Sequence, residues 1–168
     1  MTKNTFKNAD EAFKYFFREI LRSGVEFDDT QALFNVGFTI ENPLDNHIVD
    51  KGSIVPRNWK HNYAHAEWMW YLTGDPKIST LGEIYGKVPE IWKRMANGLG
   101  QVNSNYGYQW ERNDQLDSIV THLRANPKSR RAAISIYDGK ELHKYANDTP
   151  CTYAVQFTIL DNKLNMCV

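Results

Sequence analysis

The strongest constraint on the fold lies near the end of the sequence, where Pro150-Cys151 opens a run in which Val155, Phe157 and Ile159 alternate with Ala154, Gln156 and Thr158. Apolar side chains at every second position fit a strand over 152–160, and Asp161-Asn162-Lys163 makes a hairpin turn into a second run, 164–168. A proline fixes its own φ and biases the residue before it toward extended backbone. The thiol of Cys151 is therefore presented at the strand entrance with little backbone freedom. That suits a nucleophile. It also suits a free cysteine packed as a small hydrophobe, and the rest of the chain has to separate the two readings.

Upstream the pattern is mostly helical. Residues 10–23 place Ala12, Phe13, Phe16, Phe17, Ile20 and Leu21 three and four apart, with acidic residues early, Arg22 late and Gly24 as the stop, which predicts an amphipathic helix. Leu33, Phe34, Val36, Phe38 and Ile40 are mostly period two and predict a strand over 32–40, ended by Asn42-Pro43. A strongly aromatic helix is predicted over 59–72, stopped by Thr73-Gly74-Asp75-Pro76. Shorter helices follow over 78–85 and 89–95, then a loop over 98–107 and a helix over 113–125 behind an Asn-Asp start. A strand over 131–137 and a short helix or turn over 139–142 lead to the cysteine.

At 168 residues the chain has the size of one domain, 1–168, able to bury a core without metal or disulfide staples. Its 20 basic and 20 acidic residues cancel, so nothing advertises the broad electropositive surface that holds duplex nucleic acid, although a local anion site stays open. Two cysteines, Cys151 and Cys167, and a start, Met1-Thr2-Lys3-Asn4, without a charged-then-apolar leader read as a cytoplasmic protein with reduced thiols. No apolar run approaches the ~20 residues of a membrane span. The last apolar run stops at Val168 with no polar tail, which reads as a chain cut off within a longer enzyme.

Four clusters could carry chemistry. Glu67 stands among Trp68, Trp70, Tyr71 and Leu72. Its carboxylate either faces solvent or is buried with a raised pKa, and only the second shuttles protons well near neutral pH. Arg130 and Arg131 can clamp a phosphate, because guanidinium donors match phosphate oxygens in pairs, or can form a solvated strand edge. Asn103-Ser104-Asn105-Tyr106-Gly107-Tyr108-Gln109-Trp110 sets amides and hydroxyls beside aromatics, suited either to the edge and face of a heterocycle or to a turn followed by core aromatics. His61 and His65 lie four apart but lack a third ligand at metal-site spacing, so no metal is expected.

Taken in order, these stretches resemble thymidylate synthase and its phage relatives, the deoxycytidylate (dCMP) hydroxymethylases, from about residue 59 to 168. The stretch His65-Ala66-Glu67-Trp68-Met69-Trp70-Tyr71-Leu72-Thr73-Gly74-Asp75 resembles the family's helix with a catalytic glutamate, and Ile91-Trp92 resembles its folate-side wall. Asn105-Tyr106-Gly107-Tyr108-Gln109-Trp110 resembles the tyrosine-glycine motif, and Pro150-Cys151 with Gln156-Phe157 resembles the nucleophile segment. Asn126-Pro127-Lys128-Ser129-Arg130-Arg131 resembles the arginine pair that reaches across a dimer to the partner's nucleotide phosphate, and Arg57 falls near the basic folate-tail position. The resemblance implies an α/β fold of three layers around a bent mixed sheet, incomplete at its C-terminal end, in a homodimer packed sheet to sheet.

It also implies a transferase that uses no metal. Cys151 adds to C6 of a pyrimidine deoxynucleotide monophosphate, and C5 then takes up the one-carbon unit of 5,10-methylenetetrahydrofolate. Glu67 moves protons, and Tyr106 helps position the water that takes the C5 proton. Reduction of the resulting exocyclic methylene makes dTMP from dUMP; trapping by water makes the hydroxymethylated dCMP. Thr152 after the cysteine, Met95 three residues after Trp92, and the 103–107 segment stand closer to the phage hydroxymethylases. The arginine-bearing phosphate loop expected after the first helix is replaced by Phe27-Asp28-Asp29-Thr30-Gln31, which offers no cation, and the family's base-reading segments would lie beyond Val168. Substrate base and product stay open, as does a non-catalytic nucleotide-binding or assembly subunit, partnered by a separate C-terminal half. A cysteine hydrolase would need a histidine paired to the thiol; His143 is the nearest in sequence and has no supporting motif.

Overall fold

The computed structural model describes residues 4–48 and 60–168, so Arg57 and Trp59 lie outside the described residues. The chain divides into two compact units, Met1–Lys60 and His61–Val168.

In the first unit β1 (Thr5–Phe6) leads into α1 (Ala9–Ser23). Asn8 caps the helix by accepting the Glu11 N–H at 3.0 Å, while the Glu11 carboxylate reaches back to accept the Lys7 N–H at 2.7 Å. The aromatic face of α1 covers Phe6, whose ring lies 5.1 Å from Tyr15 and 5.3 Å from Phe16. Two short strands, β2 (Val25–Phe27) and β3 (Thr30–Ala32), form an antiparallel hairpin, and β4 (Thr39–Ile40) runs parallel to β1. The strand predicted over 32–40 is therefore broken, with only its two ends in ladders. Asn35 adopts a left-handed φ of 55°, and Phe34, Val36 and Phe38 stay exposed, so period-two spacing there does not produce a continuous strand.

In the second unit α2 (His61–Leu72), α3 (Ile78–Tyr85) and α4 (Glu90–Met95) pack around Ala66, Trp70, Leu81, Trp92 and Val102. Trp70 is 0% exposed and stands edge-on to Trp92 with centroids 5.4 Å apart. The 98–107 segment is a loop until Tyr106, where α5 (Tyr106–Glu111) begins, capped by Asn105 accepting the Tyr108 N–H at 2.8 Å. A 3-10 turn, Arg112–Asp114, joins it to α6 (Gln115–Ala125). The Asn-Asp pair expected to start that helix does a different job. Asn113 and Asp114 both sit in the left-handed region, φ 58° and 57°, which these short polar residues tolerate, and they turn the chain between the two helices.

Helix α6 lays Ile119 and Leu123 on one face of a three-stranded antiparallel sheet, where they meet Ile134, Val155 and Phe157. Its strands are β5 (Ala133–Ser135), β6 (Ala154–Leu160) and β7 (Lys163–Cys167), in that order. The register pairs Ser135 with Ala154 and Leu160 with Lys163. Asp161 and Asn162 take φ 51° and 59°, as a two-residue hairpin turn between right-twisted strands requires. The turn or short helix expected at 139–142 is a 3-10 helix over Leu142–Tyr145. Helices and sheet together make the α/β class that the sequence implies.

Candidate active site

Cys151 is exposed just ahead of β6, and its segment is held from several directions. The Cys151 N–H donates to the Tyr106 hydroxyl oxygen at 2.9 Å, and the Thr152 N–H approaches the same oxygen at 3.4 Å. Tyr137 donates its hydroxyl to the Pro150 carbonyl at 2.9 Å, and Thr149 donates to the Tyr145 carbonyl at 2.8 Å. Burial pushes the Tyr137 phenol pKa up, with neighbouring Tyr153 and Tyr145, then Cys151, adding to the rise.

Tyr106 reaches the thiol segment because α5 lies directly on the backbone of α2. A Cβ at Gly107 would stand 1.6 Å from the Tyr71 carbonyl oxygen, so only glycine permits this approach. The Tyr71 ring then meets Tyr106 edge-on at 5.9 Å. Asn105 donates its side-chain amide to the Asp75 carbonyl at 3.0 Å, tying the end of α2 to the tyrosine segment.

Glu67 projects from α2 half-buried. One turn before it, Tyr63 donates its hydroxyl to the Glu67 carboxylate at 2.7 Å, and the Trp92 indole N–H donates to the Tyr63 oxygen at 2.7 Å. Burial raises the Glu67 pKa, and the Tyr63 hydrogen bond pulls the other way. Burial also raises the phenols of Tyr63 and Tyr71, with Glu67 adding to both. Tyr71 lies one turn after Glu67, and its ring meets that of Tyr106, whose hydroxyl oxygen receives the Cys151 backbone N–H. A half-buried carboxyl with a raised pKa, neighbouring phenols and an exposed thiol are group types that general acid–base and nucleophilic chemistry use.

The other expected residues are placed differently. Arg130 and Arg131 are exposed and, with His122, Lys128 and Ser129, line an open cleft of about 500 Å³. The Phe157 N–H donates to the Ala132 carbonyl, which puts the arginines at the far end of β6 from Cys151, roughly 20 Å away at the rise of an extended chain. One chain does not bring them to its own thiol. Trp92 is buried in the helical core with its N–H committed to Tyr63, and neighbouring Ile91 is the exposed apolar residue. Among the described residues no group of three or more His, Cys, Asp or Glu side chains could hold a metal ion, and no helix is long and apolar enough to cross a membrane.

Residues 11–168 match the family model described as Thymidylate synthase. The chain belongs to the thymidylate synthase family. Among curated members, the deoxycytidylate 5-hydroxymethyltransferase of Enterobacteria phage T4 is 35% identical over 114 residues, 63% of this chain and 45% of the phage protein. The thymidylate synthase of Buchnera aphidicola is 35% identical over 108 residues, 59% of this chain and 39% of that relative. Thermostable thymidylate synthase A from Bacillus subtilis shares the fold, with a TM-score of 0.62 at 21% identity across 95% of this chain and 62% of that one. Thymidylate synthase from T4 phage gives a TM-score of 0.52 at 25% identity, over 66% and 43%. The chain thus spans less than half the length of these curated relatives.

Further residues join the candidate site with no role expected from the sequence. Tyr63 and Tyr71 flank Glu67 at helical spacing, a signal the sequence does carry. Tyr137 and Asp148 arrive only through tertiary structure.

Proposed function

We propose that this chain is the portion of a pyrimidine-nucleotide C5 one-carbon transferase that carries its nucleophile, Cys151, and its proton-handling carboxyl, Glu67. The observation that supports this most is the Cys151 N–H to Tyr106 hydroxyl contact, with Tyr106 packed on Tyr71 one turn from Glu67, in a member of the thymidylate synthase family. Hydroxymethylation of dCMP is the preferred reading, on Thr152 and Met95 and on the T4 relative; methylation of dUMP is the alternative.

In this reading the Cys151 thiolate forms a bond to C6 of the pyrimidine, and the electron pair of the C5–C6 double bond moves onto C5. Bound 5,10-methylenetetrahydrofolate supplies the one-carbon electrophile for C5. Tyr106 uses its oxygen to fix the Cys151 backbone and keeps its hydroxyl hydrogen for a water that takes the C5 proton. Glu67, half-buried with a raised pKa, gives protons to and takes them from ordered water. Loss of the C5 proton and cleavage of the carbon–nitrogen bond to the folate leave an exocyclic methylene at C5. Water, or hydride from the folate in the alternative reading, adds to it, and the electron pair returned to the ring expels the Cys151 sulfur from C6. Trp92, locked by Tyr63, backs an apolar surface at Ile91 that suits a flat heterocycle, and Arg57 would meet the co-substrate's acidic tail. Arg130 and Arg131, far from their own thiol, would hold the nucleotide phosphate of a second copy, which makes a homodimer part of the proposal. The reduced thiol would work in the cytoplasm, and a separate C-terminal half is a further proposed partner, because the T4 relative is matched over 45% of its length.

Addition at C6 makes the C5 hydrogen exchangeable, which gives a test that needs no complete turnover. dCMP and dUMP carrying tritium at C5 are incubated with the chain, alone and with a polypeptide supplying the remaining length of the relatives. Release of tritium to water, abolished by Cys151→Ser, is expected. Preference for dCMP favours the hydroxymethylase. Nucleotide binding without release under either condition would replace the proposal by a non-catalytic binding subunit.

A further inference from the structure

We propose that Ser104 and Asp148 form a positioning clasp that fixes the Cys151 segment against Tyr106. Asp148 is 3% exposed, and both its carboxylate oxygens are used on one residue: Oδ2 accepts the Ser104 N–H at 2.7 Å, and Oδ1 accepts the Ser104 hydroxyl at 2.6 Å. The preceding residue grips the same segment, since the Asn103 amide donates to the carbonyls of Lys144 and Asp148, each at 2.8 Å. Behind them Gln109, itself buried, donates to the Asn103 carbonyl at 2.8 Å and anchors the clasp to α5.

Taking a carboxylate out of water is costly, and an apolar contact would join two loops without that cost. What the carboxylate adds is register. Two oxygens matched to an N–H and an O–H of a single serine allow one alignment of the two segments, with the strength of a charge-assisted pair. Ser104 lies two residues before Tyr106 and Asp148 three before Cys151. Fixing the first pair therefore sets the second, in which the Tyr106 oxygen receives the Cys151 N–H. Asp148 also contributes to the raised pKa of Tyr71, after burial, Glu67, Tyr63 and Tyr106, which places it within electrostatic reach of the rings between carboxyl and thiol. The clasp rests on reading Cys151 as the nucleophile, but its geometry can be measured without turnover, so the two fail separately.

The test compares wild type with Ser104→Ala, Ser104→Thr and Asp148→Asn in two measurements. Amide exchange by NMR reads the Cys151 and Thr152 N–H groups against Ile134 and Val155 in the sheet. Alkylation by iodoacetamide across a pH series, resolved by peptide mapping, reads Cys151 against Cys167 in the same chain. Ser104→Ala and Asp148→Asn should speed exchange at 151 and 152 by about ten- to hundredfold, the loss expected for one charge-assisted hydrogen bond, with the sheet amides unchanged. They should also shift the Cys151 alkylation profile and leave that of Cys167 in place. Ser104→Thr, which keeps the hydroxyl, should behave as wild type. Unchanged exchange at 151 and 152 in folded variants would overturn the clasp. So would protection lost equally across the sheet, or unfolding of the mild Ser104→Ala variant, either of which would assign the pair a general folding role.

Discussion

The helical core around Trp70 and the sheet core around Ile134 hold their reactive groups in opposite ways. On the helical side the surroundings of Glu67 are local: Tyr63 and Tyr71 sit one turn to either side on α2, and Trp92 adds one hydrogen bond from α4. On the sheet side the surroundings of Cys151 are assembled from segments far apart in sequence, with Tyr106, Ser104 and Tyr137 closing on residues 148–152. A carboxyl that needs an altered pKa can be served by the helix that carries it. A thiol that needs a fixed position has to be held from outside its own strand.

That contrast can be broken at the joint between the cores. Trp70→Ala should cost about 3–5 kcal/mol, as loss of a large aromatic from a closed core does, and Ile134→Ala should cost about 2–5 kcal/mol on the sheet side. Both are read by urea unfolding. Gly107→Ala drives a methyl into the Tyr71 carbonyl, so we expect about 3 kcal/mol or more of destabilisation. In whatever remains folded, the Tyr71–Tyr106 contact should be lost and the Cys151 amide deprotected, while the Tyr63–Glu67 bond survives within α2. Survival of the Cys151–Tyr106 bond in that variant would mean that the two sides are not joined through α5. Tyr106→Phe removes the acceptor for two backbone N–H groups and should cost about 1–3 kcal/mol if those donors find no water.

The smallest effect sharpens the helical side. Because the folded-state pKa of Glu67 is raised above the ordinary 4.5, the folded chain binds the proton more tightly than the unfolded chain. Stability is then fullest below the ordinary value and falls as pH rises through the raised one. Glu67→Gln cannot ionise. Its stability relative to wild type should grow with pH across that window, as followed by thermal unfolding; a difference that stays flat would place Glu67 in a water-like setting.

The same contrast between local and long-range support governs how much of the molecule is legible in its sequence. The helix that carries Glu67 follows from its aromatic run and the Thr73-Gly74-Asp75-Pro76 stop, and the hairpin after Cys151 from two-residue alternation and its turn residues, all of them local signals. Where local pattern and tertiary packing disagree, packing decides. The alternation of Leu33 to Ile40 loses its strand to a left-handed Asn35, and Asn113-Asp114 forms a turn rather than a cap. In the site, Glu67, Tyr106 and Cys151 stand out as residue types in suggestive settings. Asp148 reads as ordinary loop polarity, and its role depends on Ser104, 44 positions away. The arginine pair is legible only as a phosphate clamp or a solvated strand edge, and its separation from Cys151 emerges from the strand register.

The most direct measurement uses a 5-fluoropyrimidine deoxynucleotide, whose C5 fluorine cannot leave as a proton does and so should arrest the reaction with the sulfur still on C6. The chain is incubated with the fluorinated dCMP or dUMP and 5,10-methylenetetrahydrofolate, alone and with the remaining length of the relatives supplied, and digested for mass spectrometry. Expected is a nucleotide-bearing peptide modified at Cys151, absent from Cys151→Ser. Nucleotide bound but Cys151 unmodified under both conditions, or modification that falls on Cys167 instead, would contradict the assignment of Cys151 as the nucleophile.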